Sequence, residues 1–85
     1  AVPNPFNPRT RFTFSLPTEA PVTLEVFDVS GRRVRSLVAT RLAAGSHEAV
    51  WDGRDDAGGD AASGTYFARL TVAGHPIVKS ATLIR

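Results

Sequence analysis

Cysteine and methionine are both absent from this 85-residue chain, and it has one tryptophan, one tyrosine and a single lysine, Lys79. Without cysteine there is no disulfide, thiol nucleophile, redox pair or cysteine zinc site, while the compartment stays open in either direction. No apolar run approaches the roughly eighteen residues of a membrane-spanning helix, so direct membrane insertion is not expected. Charge of one sign is scarce too: ten basic and eight acidic side chains leave a formal net charge of +2. That balance supplies no strong field for a polyanion. The one basic cluster, Arg32-Arg33-Val34-Arg35 with Arg41 nearby, has no aromatics interleaved for base stacking, so no nucleic-acid partner is expected. A period of two puts Arg33 and Arg35 on one face of a strand, where a solvated charge pair guards an edge. The start carries neither Met nor a charged and apolar signal pattern, so the chain is expected to be a mature or excised fragment.

What is present is globular and strand-like. Hydrophobic content of 42% with 21% charged residues is ordinary for a folded domain, and the length suits one domain over residues 1–85. Residues 1–8 hold Pro3, Pro5 and Pro8, which enforce an extended, polyproline-like arm. Phe12, Phe14 and Leu16 then alternate with polar residues, as do Val22, Leu24 and Val26, and later Tyr66, Ala68, Leu70 and Val72. His47, Ala49 and Trp51 form another apolar row. Ser30-Gly31 and Ala73-Gly74 read as tight turns, and residues 77–84 as the return strand of a hairpin. Around residues 37–43 the spacing of Leu37, Ala39, Leu42 and Ala43 predicts one helical turn. The whole predicts an all-β, immunoglobulin-like antiparallel β-sandwich of about seven strands. Its expected core is Phe12, Phe14, Leu16, Leu24, Val26, Trp51, Tyr66 and Leu70.

Candidate chemistry is thin. Asp52, Asp55, Asp56 and Asp60 share a glycine-containing loop and are weak calcium candidates, since closely spaced carboxylates can supply oxygen ligands. Their spacing lacks the alternation and closing Glu of an EF-hand, and Arg54 lies among them; turn-forming bonds to backbone amides are the favoured reading. His47 and His75 have no ligand spacing. The serines follow no nucleophile-elbow pattern. No catalytic residue, cofactor or enzymatic activity is expected. A sugar platform would need exposed aromatics, and with Trp51 and Tyr66 at core positions only Phe6, Phe27 and Phe67 remain.

Several ordered segments carry a resemblance along nearly the whole chain. They are Asn4-Pro5-Phe6-Asn7-Pro8 with Thr10, the run from Phe12 to Pro17, and Val26-Phe27-Asp28-Val29-Ser30-Gly31-Arg32. Ala44-Gly45-Ser46-His47, Trp51-Asp52-Gly53-Arg54-Asp55, Ser63-Gly64-Thr65-Tyr66-Phe67 and Lys79 continue it. The pattern is similar to the immunoglobulin-like domain related to the flagellar hook-capping protein. It also resembles the type IX secretion sorting domain at the C-termini of many bacterial secreted proteins. The resemblance implies a secreted or cell-surface bacterial module. Its first expected role is C-terminal sorting and surface attachment through secretion machinery, with a cargo encoded before Ala1. The alternative is a structural subunit or spacer of an extracellular appendage, in contact with neighbouring subunits or other copies of itself through strand edges or the N-terminal arm. Phe6, Arg33, Arg35, Lys79 and Arg85 are the candidate partner contacts.

Overall fold

The computed structural model describes residues 9–83, which form six strands and no helix: β1 (Thr10–Leu16), β2 (Ala20–Phe27), β3 (Arg33–Leu42), β4 (Gly45–Trp51), β5 (Gly64–Val72) and β6 (His75–Leu83). All pairings are antiparallel, in a two-stranded sheet β1-β4 and a four-stranded sheet β3-β2-β5-β6. This is the all-β immunoglobulin-like sandwich that alternation and turn residues predict, with six strands among the described residues.

β2 shows how the pattern works. Val22, Leu24 and Val26 are buried while Thr23, Glu25 and Phe27 face outward. Their cross-strand partners Leu70 and Ala68 on β5 line the same inner face. β3 departs from simple alternation. Register shifts between Leu24 and Glu25, and again between Val26 and Phe27, leave Leu37 and Val34 without a partner on β2. Each bulge adds one residue and resets the parity of the strand. The two extra residues are apolar, half-buried, and packed against the core.

Residues 37–43 do not make the expected helical turn; all but Ala43 belong to β3. A lone helical turn is an unfavourable nucleus, whereas Val38 to Leu42 gain a continuous ladder against Ala20 to Leu24. Pro21 also falls inside β2, opposite Arg41, and its carbonyl accepts the Ala73 amide at 3.0 Å. Between β5 and β6 the turn has positive φ at both central residues, 49° at Ala73 and 85° at Gly74, the geometry of a two-residue type I′ hairpin.

The densest packing lies at one end of the sandwich. Trp51, Val26, Ala61, Tyr66 and Leu83 form a buried cluster, with the Trp51 and Tyr66 rings edge to face at 5.0 Å. Leu16 and Leu24 are also buried, whereas Phe12, Phe14 and Leu70 are only half-buried. Ala20, Val22 and Ala68 complete the buried hydrophobic set. Leu83 follows Ala81 and Thr82 at the end of β6, too short an apolar signal to mark it from sequence.

Both large aromatics keep their polar atoms paired. The Trp51 indole donates to the Arg54 carbonyl at 2.9 Å, and the Tyr66 hydroxyl donates to the Ala62 carbonyl at 2.5 Å. A tyrosine near the start of its strand, bonded four residues back, ties the connection to the sheet as in other immunoglobulin-like sandwiches. Tyr66→Phe should therefore lower unfolding free energy by about 1 kcal/mol in urea titration. An unchanged midpoint would show that water replaces the bond without cost.

Candidate interaction surfaces

The acidic loop is built inward from its backbone. Asp52 Oδ1 accepts the Arg54 amide at 3.0 Å, and Asp55 Oδ1 accepts the amides of Ala57 and Gly59 at 3.0 and 2.9 Å. Asp56 Oδ1 accepts the Ser36 amide at 2.9 Å, while the Asp56 amide donates to the Val34 carbonyl at 2.9 Å. Asp60 lies 3.8 Å from Arg54 Nε across an isolated bridge between those two residues. The four carboxylates thus address four different places and do not converge. Among the described residues no group of three or more His, Asp or Glu side chains could hold a metal ion.

Arginines clamp the loop to the sheet. Arg35 Nη1 lies 3.4 Å from Asp52 Oδ1 and reaches the Arg54 and Asp55 carbonyls at 3.3 and 3.5 Å. Arg33 bridges Asp56 and Glu25, each at 3.4 Å. The two guanidinium groups do not share a face as period-two reading predicts. The bulge at Val34 sets Arg33 opposite outward Phe27 and Arg35 opposite inward Val26. Exposed pairs of this kind add little stability singly, but together they hold the loop along the outer edge of β3.

A second turn is tied by one carboxylate. Asp28 Oδ1 accepts the Ser30 amide, the Ser30 hydroxyl and the Arg32 amide at 2.9, 2.6 and 3.0 Å. The Ser30 hydroxyl first, and then the Arg32 amide, hold its pKa below the usual carboxylate value. A group whose folded pKa is depressed stabilises the fold above its unfolded pKa, and that contribution disappears as pH falls through the folded one. The stability gap between the native chain and Asp28→Asn should accordingly be open at neutral pH and close on acidification in melts from pH 7 to pH 2. A gap independent of pH would contradict this.

On the outer face of the four-stranded sheet Phe27 and Phe67 are register partners, and the Arg69 guanidinium sits 4.6 Å from the centre of the Phe27 ring. Glu25 pairs with both Arg33 and Arg69. On the smaller sheet, the His47 ring stacks on Phe14 and its Nε2–H donates to the Ala43 carbonyl at 2.7 Å. His75 is exposed at the start of β6.

The inner face is covered unevenly. β4 contacts β3, while β1 stands across an apolar cleft of ≈260 Å³ from β5 and β6. Residues 10–14, Leu24, Ala68, Leu70, Ile77, Lys79 and Ser80 line it. Ile77 pairs with inward Leu70 and Lys79 with inward Ala68, which puts both on the inner face of an edge strand. Phe6 and Arg85, with the N-terminal arm, lie outside the described residues.

A family model described as the FlgD Ig-like domain matches residues 4–75. Among solved structures the chain is similar to FlgD from P. aeruginosa, with 28% sequence identity and a TM-score of 0.62. That alignment covers 88% of this chain and 60% of the relative, so the chain spans less than two thirds of that protein's length. No curated protein matches it. Both matches are to FlgD and neither is to a sorting domain. They overturn the expected C-terminal sorting and surface-attachment role, and secretion machinery loses its support as the partner.

Proposed function

Because this chain belongs to the FlgD Ig-like domain family, we propose that it is a non-catalytic structural domain that acts in assembly of a bacterial flagellar hook. The observation that carries this reading is the family match across residues 4–75. Fold alone would not carry it, since immunoglobulin-like sandwiches serve many roles. The disposition of the polar side chains supports it. Asp28, Asp52, Asp55 and Asp56 hold turns and strand edges, so these residues build surfaces rather than a reaction centre. Its partners are then neighbouring protein subunits of an extracellular appendage, with further copies of the chain as an additional contact. Mixed with purified hook subunits under polymerising conditions, the chain should co-sediment with the assemblies and alter their length in electron micrographs. A chain that stays in the supernatant and leaves the assemblies unchanged would refute the reading.

A further inference from the structure

The sandwich is lopsided in a way that exposes part of its own core. Four strands face two, and β1 has only β4 as a neighbour among the described residues. On the other side of β1 its backbone edge is unpaired by any described strand. That edge borders the apolar cleft, whose floor is the inner face of β5 and β6. The consequence shows in the side chains. Ile77 is an inner-face residue yet remains 54% exposed, and Phe12, Phe14 and Leu70 are only half-buried. Elsewhere between the two sheets Val26, Trp51 and Leu83 are covered almost completely.

The free edge of β3 differs. β3 is blunted by Asp56, which supplies an acceptor to Ser36 and a donor to Val34 as a paired strand would. β1 has no such cover from the described loops, and beside it stands an unanswered charge. The Lys79 side chain lines the cleft from β6 and has no hydrogen bond or ion pair with any described residue. Arg11, Arg33, Arg35, Arg41, Arg54 and Arg69 all have carboxylate partners.

We propose that the free edge of β1 and the cleft beneath it take up an extended segment of a neighbouring subunit, which adds as a third strand over β6. Backbone bonds to β1 would supply affinity, and alternate side chains of the segment would point down onto Ile77 and Lys79. Those two residues lie two positions apart on one face, so their spacing along the strand is roughly 7 Å. The fitting partner therefore carries an apolar side chain and a carboxylate at positions i and i+2. The chain's own residues 1–8 are a poor donor by composition, since Pro3, Pro5 and Pro8 lack the amide hydrogen that a ladder requires. This inference rests on the assembly reading above and specifies where the partner docks.

The probe is a synthetic peptide of about ten residues that alternates valine and threonine, with one valine replaced by glutamate. Two companions carry glutamine at that position or proline at the centre. In two-dimensional NMR titrations of the full chain, the glutamate peptide should shift the amides of residues 10–14 and 77–80. The glutamine peptide should bind about fivefold more weakly, and Lys79→Glu should reverse that preference. Ile77→Asp, at an exposed position that tolerates a polar residue, should weaken binding by about tenfold. Shifts confined to other strands, equal binding of the proline peptide, or no binding would each overturn the proposal. If Lys79 only guards an edge, Lys79→Ala will promote aggregation and no peptide will bind, which also overturns it. Co-sedimentation separates this inference from the assembly reading. Wild-type pelleting that Ile77→Asp and Lys79→Glu leave intact would sink the cleft alone. Failure of the wild type to pellet would sink the assembly role.

Discussion

Trp51→Ala should leave the chain without a cooperative unfolding transition near room temperature. The side chain is 1% exposed and sits at the centre of the buried cluster, against Val26, Ala61, Tyr66 and Leu83. Removing so large a buried ring costs about 3–5 kcal/mol, from lost transfer energy and the cavity left behind. A domain of this length has only about 5–10 kcal/mol of total stability. Two further losses come with it. Tyr66 loses the ring it meets edge to face, and the Arg54 carbonyl loses the indole donor that anchors the 52–60 loop. Urea titration followed by far-ultraviolet circular dichroism is the direct check, since the mutation removes the tryptophan signal. Trp51→Phe, which fills part of the volume but cannot donate to Arg54, should fall between. An alanine variant within about 1 kcal/mol of wild type would mean that the cluster collapses around the hole, and the packing account would be wrong.

The next largest effect is expected at a residue that looks superficial. Asp56→Ala should destabilise the domain by about 1–2 kcal/mol, because its acceptor for the Ser36 amide and its ion pair to Arg33 vanish together. Ser36 immediately precedes the bulge residue Leu37 on the edge strand β3, so its amide has little alternative partner among the described residues. Hydrogen exchange gives a residue-level test: the Ser36 amide should lose protection more than its neighbours on β2. Asp56→Asn keeps an acceptor oxygen and should restore most of the protection without the ion pair. Equal exchange in all three proteins would remove Asp56 from any role in protecting that edge. The same loss should make the variant more prone to edge-to-edge association, since β3 would then present unpaired backbone groups.

These two residues also show how far the chain can be read without coordinates. Trp51 stands out as core from its row with His47 and Ala49. Asp56 was legible only as one of four acids in a glycine-containing loop. Nothing local to it says that it meets Ser36, twenty positions away in the chain. Lys79 is a similar case. Its strand was readable, but its inward orientation follows from pairing with Ala68, and its cleft from β1 standing over β5 and β6 with no described strand beyond. Arg33 and Arg35 changed faces because of a bulge that no period-two count contains.

The sequence by itself determined the strands of β1, β2, β4, β5 and β6 and the first half of β3, the turns at Ser30-Gly31 and Ala73-Gly74, and hence the all-β class. Those features depend on short-range stereochemistry: alternating side chains on a pleated backbone, and positive φ where Gly permits it. Tertiary structure decided the rest. It drew residues 37–42 into a strand, placed two bulges in β3, and set four strands against two. Such choices turn on long-range hydrogen-bond register and on which inner faces meet, and neither is encoded within any one segment. The candidate docking edge at β1 belongs to this second kind, since it exists only where a strand, a cleft and a lysine without a partner among the described residues come together in space.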